Sequence, residues 1–169
     1  FDSIKVYEGS YITTRYTVDT SNVDQKFTLS NANSDTSTLI VKVQTSASDT
    51  STTTYTKATD ITQLSSNSTV YYLQETDSGL YQVYFGDGVI SKSISDGNIV
   101  VLQYVVTNKT LANGADTFSS PSSIDGATSI TVTTVASATG GSEVETIESI
   151  KLQAPLDYAA QGRCVTVDD

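Results

Sequence analysis

The stretch from Tyr84 to Val106, "YFGDGVISKSISDGNIVVLQYVV", sets dense apolar runs between two Asp-Gly pairs. Asp-Gly supplies the positive φ that a tight hairpin turn demands, so alternating apolar residues around it predict antiparallel strands. Tyr81, Val83 and Phe85 alternate, Asp87-Gly88 is expected to form a type I′ turn, and Val89-Ile90 to begin the returning strand. Asp96-Gly97 turns the chain again. "NIVVLQYVV" then reads as a strand buried on both faces, because it is apolar at nearly every position. The whole stretch predicts a meander of antiparallel strands.

Gly86-Asp87-Gly88 could also hold a ligand. A calcium loop needs several carboxylates at alternate positions, and Val89, Ile90, Ser91 and Lys92 follow instead. A phosphate loop leads into a helix N-terminus, whereas this one leads into apolar, strand-forming residues. The turn reading is the stronger.

Other segments agree with a β-rich chain. Ile4 to Val18 is mostly extended, with a break at Gly9-Ser10. "KFTLS" (26–30) is a short strand, and "TLIVKVQ" places Leu39, Val41 and Val43 on one face with Ile40, Lys42 and Gln44 on the other. Ser-Asp-Thr-Ser-Thr occurs at 34–38 and again at 48–52, bracketing that strand, and its Asp and Ser side chains suit Asx and Ser/Thr turns. "TVYYLQET" and "LYQVYFG" flank Asp77-Ser78-Gly79 as a hairpin, with the Tyr71 and Tyr72 rings on opposite sides of one strand. After Val106 a polar connection precedes one more expected strand, Ser129 to Val135. A helix is expected from Ser142 as N-cap, with Glu143, Glu145 and Glu148 at its positive end. Val144, Ile147, Ile150 and Ala154 form its apolar stripe, Pro155 ends or kinks it, and "LDYAAQG" adds a turn or two closed by Gly162.

The expected fold is therefore mainly β with a C-terminal α+β segment: an antiparallel meander or sandwich-like body at 1–106, a β-rich connection at 107–141, and a helix-containing segment of a truncated α+β domain at 142–169. The chain opens on Phe1 and lacks Met, and Thr166 with Asp169 resembles a capping box. An internal fragment of a longer polypeptide is expected.

Composition narrows function by exclusion. The net charge is -10, with nine basic residues among nineteen acids, so a phosphate-backbone partner is not expected. The chain has no His, the usual general base and the commonest transition-metal ligand. No apolar run approaches the roughly twenty residues of a membrane span. Cys164 is expected to be a small buried hydrophobe. The sequons at Asn67 and Asn108 are expected by chance in so Ser/Thr-rich a chain. Asp60, Glu75, Asp77, Asp87 and Asp96 are the carboxylates a glycosidase pair could draw on, but most stand at turns and there is no Trp to stack a sugar. No catalytic residue, cofactor or metal is assigned.

"VYEGSYITTRYTVD", "LYQVYFGDGVISKSISDGNIVVLQYVV" and "GGSEVETIESIKLQAPLDYAAQGRCVTVDD" together resemble the baseplate-wedge subunits of T4-like contractile-tailed phages, in the baseplate J-like family. The family pattern of the closing segment is met by Glu148, Ser149, Ile150, Ala154, Pro155, Tyr158, Gln161, Arg163, Val165, Thr166 and Asp168, with Cys164 where the family usually has Ala. The resemblance implies a scaffold rather than an enzyme. It implies a protein of the virion tail baseplate, assembled in the host bacterial cytoplasm, which joins wedges into a ring around the tail hub and rearranges on sheath contraction. Its implied partners are other wedge proteins and further copies of itself, with neither nucleic acid nor membrane. Val144, Ile147, Ile150, Pro155, Tyr158 and Arg163 are the expected assembly and packing segment. The competing reading is a receptor- or glycan-binding β-sandwich module of an adhesin or tail fibre, which shares the Thr-rich, Asp-Gly-turned strands but has no need of the C-terminal helix.

Overall fold

The structure is a computed structural model that describes residues 4–120, 123, 125–126 and 128–160. The chain divides into two compact units, Phe1–Asn108 and Lys109–Asp169. The first is a seven-stranded sheet of β1 (Ser10–Thr17), β2 (Phe27–Thr28), β3 (Ser34–Gln44), β4 (Thr52–Lys57), β5 (Val70–Glu75), β6 (Tyr81–Phe85) and β7 (Ile99–Val106). The order across the sheet is β1-β7-β3-β4-β5-β6-β2. Every pairing is antiparallel except β4 with β5, which run parallel and are joined by the long connection 58–69. The mainly β body is as the sequence predicts.

One period-2 face of this sheet makes the core. Thr14, Leu102, Val41 and Tyr55 stand in register across β1, β7, β3 and β4. Val41 and Leu102 are fully buried, as are Val83, Val100, Tyr104, Phe27 and Leu29. β7 lies between β1 and β3, with Val100, Leu102 and Tyr104 buried on its inward face; on its outward face Val101 is buried but Ile99, Gln103 and Val105 are half-buried, so the expected burial on both faces holds only in part. The sheet also curls until its terminal strands meet. The Tyr16 hydroxyl on β1 donates to the Thr28 carbonyl on β2 at 2.6 Å, and the Tyr16 and Phe27 rings lie 5.7 Å apart. Phe27 then meets Phe85, and Phe85 meets Tyr55 edge-on at 5.2 Å. This run of rings closes the two ends of the sheet around one core.

Several local expectations are corrected. The first Ser-Asp-Thr-Ser-Thr lies within β3, where the register shifts between Asp35 and Ile40. Thr38 Oγ1 accepts from the Val105 amide at 3.0 Å there, so the hydroxyl serves a bulge in a continuing strand. Both copies make the expected Asx turn: Asp35 Oδ1 accepts from the Ser37 amide at 2.9 Å, within the strand, and Asp49 Oδ1 accepts from the Ser51 amide at 3.0 Å. Val89 and Ile90 begin no strand. They are exposed, and β6 and β7 are not neighbours, so Tyr84–Val106 spans two distant places in the sheet rather than a consecutive meander. Only Gly88 of the Asp87-Gly88 pair has positive φ, which excludes a type I′ turn.

The second unit differs from expectation as well. Ser129–Val135 forms no strand; nothing described there pairs with it as a ladder. Residues 109–116 are instead clasped to 134–143 by scattered bonds. Asn113 exchanges two side-chain hydrogen bonds with the Gly141 backbone at 2.8 and 2.9 Å, and Gly114 donates to the Ala138 carbonyl. Lys109 Nζ lies 3.3 Å from Glu143 Oε2, and the Thr110 hydroxyl donates to Glu143 Oε1. Glu143 is thereby drawn out of the expected first helical turn. The helix, α1, spans Ile147–Ala160, and its cap is Thr146 rather than Ser142: Thr146 Oγ1 accepts from the Ser149 amide at 3.2 Å. Pro155 does not end α1 but lies inside it. It leaves the Lys151 carbonyl without its usual i+4 donor. Gly162, Cys164 and Thr166 lie outside the described residues.

Candidate assembly surfaces

At Gly86-Asp87-Gly88 a turn and a ligand site are the competing possibilities. Asp87 Oδ1 accepts from the Val89 amide at 2.9 Å and from Ile90 at the limit of 3.5 Å. Those backbone donors hold its carboxyl below the usual range. The loop closes through Gly88 N–H to the Ser91 carbonyl at 2.9 Å. A Cβ at Gly86 would fall 2.0 Å from Ser91 Oγ and 2.9 Å from its carbonyl oxygen, so glycine is needed there for close approach. Asp87 is a turn cap.

Two of the other acidic candidates, Asp60 and Asp96, are also committed to loop hydrogen bonds, while Glu75 ends β5 and Asp77 stands in the β5–β6 turn. Asp60 Oδ1 accepts from both the amide and the hydroxyl of Thr62, capping a single 3-10 turn, and its carboxyl is likewise lowered. Asp96 Oδ1 accepts from the Thr20 amide at 3.1 Å. A general acid requires a carboxyl held above its ordinary range. Asp60 and Asp87 are shifted the opposite way, and each is committed to its own loop. A cleft of about 290 Å³ opens beside this region, lined by Val18, Asp19, Gln25, Phe85, Asp87 and Ile94 among others. Asp19 within it spends Oδ1 on the Ser21 amide and hydroxyl. Among the described residues no group of three or more His, Cys, Asp or Glu could hold a metal.

Of the expected assembly residues, Val144 precedes α1, whereas Ile147, Ile150, Pro155 and Tyr158 lie on it; all are exposed. Arg163 lies outside the described residues. At 100° per residue Ile147, Ile150, Ala154 and Tyr158 share one side of α1. Leu152 and Leu156, also exposed, share the opposite side and were missed in the sequence reading. Their i, i+4 spacing was the available signal. α1 is thus apolar on two opposite sides.

Two features of the sheet exterior were also missed. On β5 and β6 the Tyr72 and Tyr84 rings stack at 5.2 Å, with Lys26 Nζ 5.8 Å from the Tyr84 centroid. On β1, β7 and β3 the outward row is Arg15, Val101 and Lys42, beside a row of Thr13, Gln103 and Ile40. Arg15 donates to Gln44 Oε1 at 3.2 Å.

Known proteins place these surfaces in a context. The family model of the third domain of the bacteriophage baseplate wedge protein gp6 matches residues 13–115, which take in β2 to β7 and the larger part of β1. Baseplate wedge protein gp6 of Enterobacteria phage T4 is 33% identical over an aligned length of 129 residues, with 62% of this chain and 19% of that protein covered. The chain thus spans well under two thirds of the relative it matches. With the family model covering more than half of it, the chain belongs to the family of the third domain of bacteriophage baseplate wedge protein gp6.

Proposed function

We propose that this chain is a structural module of a contractile-tail baseplate wedge, carried in the virion and engaged with other wedge polypeptides and further copies of itself. The observation that carries this reading is the family match, which falls on the folded sheet unit rather than on an isolated motif. The physical chemistry accords with it. Asp19, Asp49, Asp60 and Asp87 in the sheet unit serve as turn caps, and part of the exposed apolar surface lies on β1, β3 and α1, at Tyr11, Ile40, Ile147, Ile150, Leu152 and Leu156. In this role the module links wedges into a ring around the tail hub and shifts when the sheath contracts. Nucleic acid and membrane have no part in it, and assembly takes place in the host bacterial cytoplasm.

The division 1–106, 107–141 and 142–169 fits the same role, with the sheet as a rigid body and the last segment as a connector. Val144, Ile147, Ile150, Pro155, Tyr158 and Arg163 belong to the segment covered by flanking polypeptide or a neighbouring subunit. Purified virions, disassembled stepwise into tails and baseplates, test the proposal by quantitative mass spectrometry. Peptides of this chain should follow the baseplate fraction at constant stoichiometry to the other wedge proteins. Recovery only as free protein, or specific binding on a glycan array with no place in the particle, would overturn it in favour of an adhesin.

A further inference from the structure

The chain is strongly acidic, yet one face of its sheet is not. Facing outward on β1, β7, β3 and β4, three consecutive rows read Thr13-Gln103-Ile40, Arg15-Val101-Lys42-Thr54 and Thr17-Ile99-Gln44-Thr52. They contain two cations and no carboxylate. The nearest acid on this face, Asp35, stands in the end row beyond the β3 bulge, opposite Val105, and its Oδ1 accepts from the Ser37 amide. Arg15 and Lys42 sit two strands apart, about 10 Å at ordinary strand spacing. Among the described residues neither pairs with a carboxylate; the ion pair present joins Lys109 to Glu143. Val101 between them is only 5% exposed, as expected if their aliphatic stems lie over it. Ile40, one row from Lys42, is 41% exposed, and Tyr11, two rows from Arg15 in the end row that also holds Asp35, is 61% exposed. Large apolar side chains flanking two unpaired cations are what an interface core with charged register pins looks like from one side.

We infer that this outward face of β1-β7-β3-β4 docks an acidic, apolar-bearing segment of another wedge polypeptide, with two carboxylates set to meet Arg15 and Lys42. Charge complementarity selects that occupant. With a net charge of -10 the chain repels acidic surfaces everywhere except where its cations stand unopposed, so a partner held by this face registers on those two. The apolar side chains of the segment would cover Tyr11 and Ile40. The inference rests on the assembly reading above and adds to it a surface and the chemistry of what it meets.

Two photo-cross-linking variants of the full-length protein, Thr13→p-benzoylphenylalanine and Thr54→p-benzoylphenylalanine, bracket the face at exposed positions. Irradiated in assembled baseplates, both should yield a cross-link to a peptide of another wedge protein that carries at least a pair of carboxylates. Arg15→Glu/Lys42→Glu should keep the melting temperature but weaken incorporation into wedges about ten-fold or more, while Lys57→Glu/Lys92→Glu, an equal change of charge off this face, should not. Cross-links to a neutral or basic peptide, to a second copy of this chain, or to nothing would overturn the inference while leaving the assembly reading intact. So would equal behaviour of the two charge-reversed variants. Absence of the protein from baseplates would overturn the assembly reading and the inference with it.

Discussion

Thr14 is the clearest place where a single atom of this fold stands against its surroundings. It points to the core side of β1, in register with Leu102, and its Oγ1 is shut off from solvent with no hydrogen-bond partner among the described residues. Hiding a hydroxyl without a partner costs about 1–3 kcal/mol. Thr14→Val keeps the β-branched shape and the strand preference, and exchanges the stranded oxygen for a methyl group. Thr14 is only half-buried as a residue, so the low end applies, a gain of about 1 kcal/mol. For a unit of this size that raises Tm by roughly 4–8 °C. Thr13→Val, one residue away on the outward side, is the control and should stay within about 0.5 kcal/mol. Calorimetry or urea unfolding monitored by tyrosine fluorescence reads both. A loss of stability in Thr14→Val would show that the hydroxyl has a partner and that the core row Thr14-Leu102-Val41-Tyr55 is wrongly registered.

The remaining predictions probe other links. Asp87→Asn should leave melting nearly unchanged, because an amide oxygen caps the Val89 amide as a carboxylate does, whereas Gly86→Ala should destabilise clearly by its clash with Ser91; calcium-dependent melting of the native chain that Asp87→Asn abolishes would contradict the turn assignment. Gly141→Ala should loosen the clasp in the second unit, since its Cβ would fall 2.2 Å from the Lys109 carbonyl oxygen; hydrogen exchange at Gly114 and Ala138 checks this. Leu102→Ala should cost about 3 kcal/mol, read by urea unfolding. Asp19, Asp49, Asp60 and Asp87 have folded pKa values lowered by hydrogen bonds, so their stabilisation is present above the unfolded value and is lost as pH falls through the folded one. Tyr16, Tyr55, Tyr71 and Tyr81 are raised chiefly by burial, so their contribution is present below the unfolded tyrosine pKa of about 10 and fades as pH climbs through the raised value. A pH titration of Tm should therefore fall away on the acid side below about pH 4 and again above about pH 10.

Individual strands were legible in the sequence where one face is wet and the other dry. Leu39, Val41 and Val43 are buried as their alternation requires, and Tyr71 enters the core while Tyr72 stacks outside it. The order of strands was not legible. β6 and β7 look like hairpin partners because Gly88 follows Asp87, but the bonds of Asp87 close a loop, and β7 finds its neighbours in β1 and β3 far away in sequence. Long-range pairing leaves no local signature, and a turn residue says only that the chain bends. The helix start was misjudged for a related reason. Ser142 has the right chemistry for a cap, but the contacts of Glu143 with Lys109 and Thr110 hold that segment elsewhere, and Thr146 takes the role. The outward rows of Arg15 and Lys42 could not be seen at all before the register between β1, β7 and β3 was known.

Cryo-electron microscopy of tails from the phage that carries this chain, in extended and contracted states, tests the central claim most directly. A seven-stranded sheet of order β1-β7-β3-β4-β5-β6-β2 is expected in the baseplate wedge density of both states, moving as one body between them. Wedge density that is fully occupied by other chains, or this sheet found at the receptor-binding tips of fibres, would contradict it.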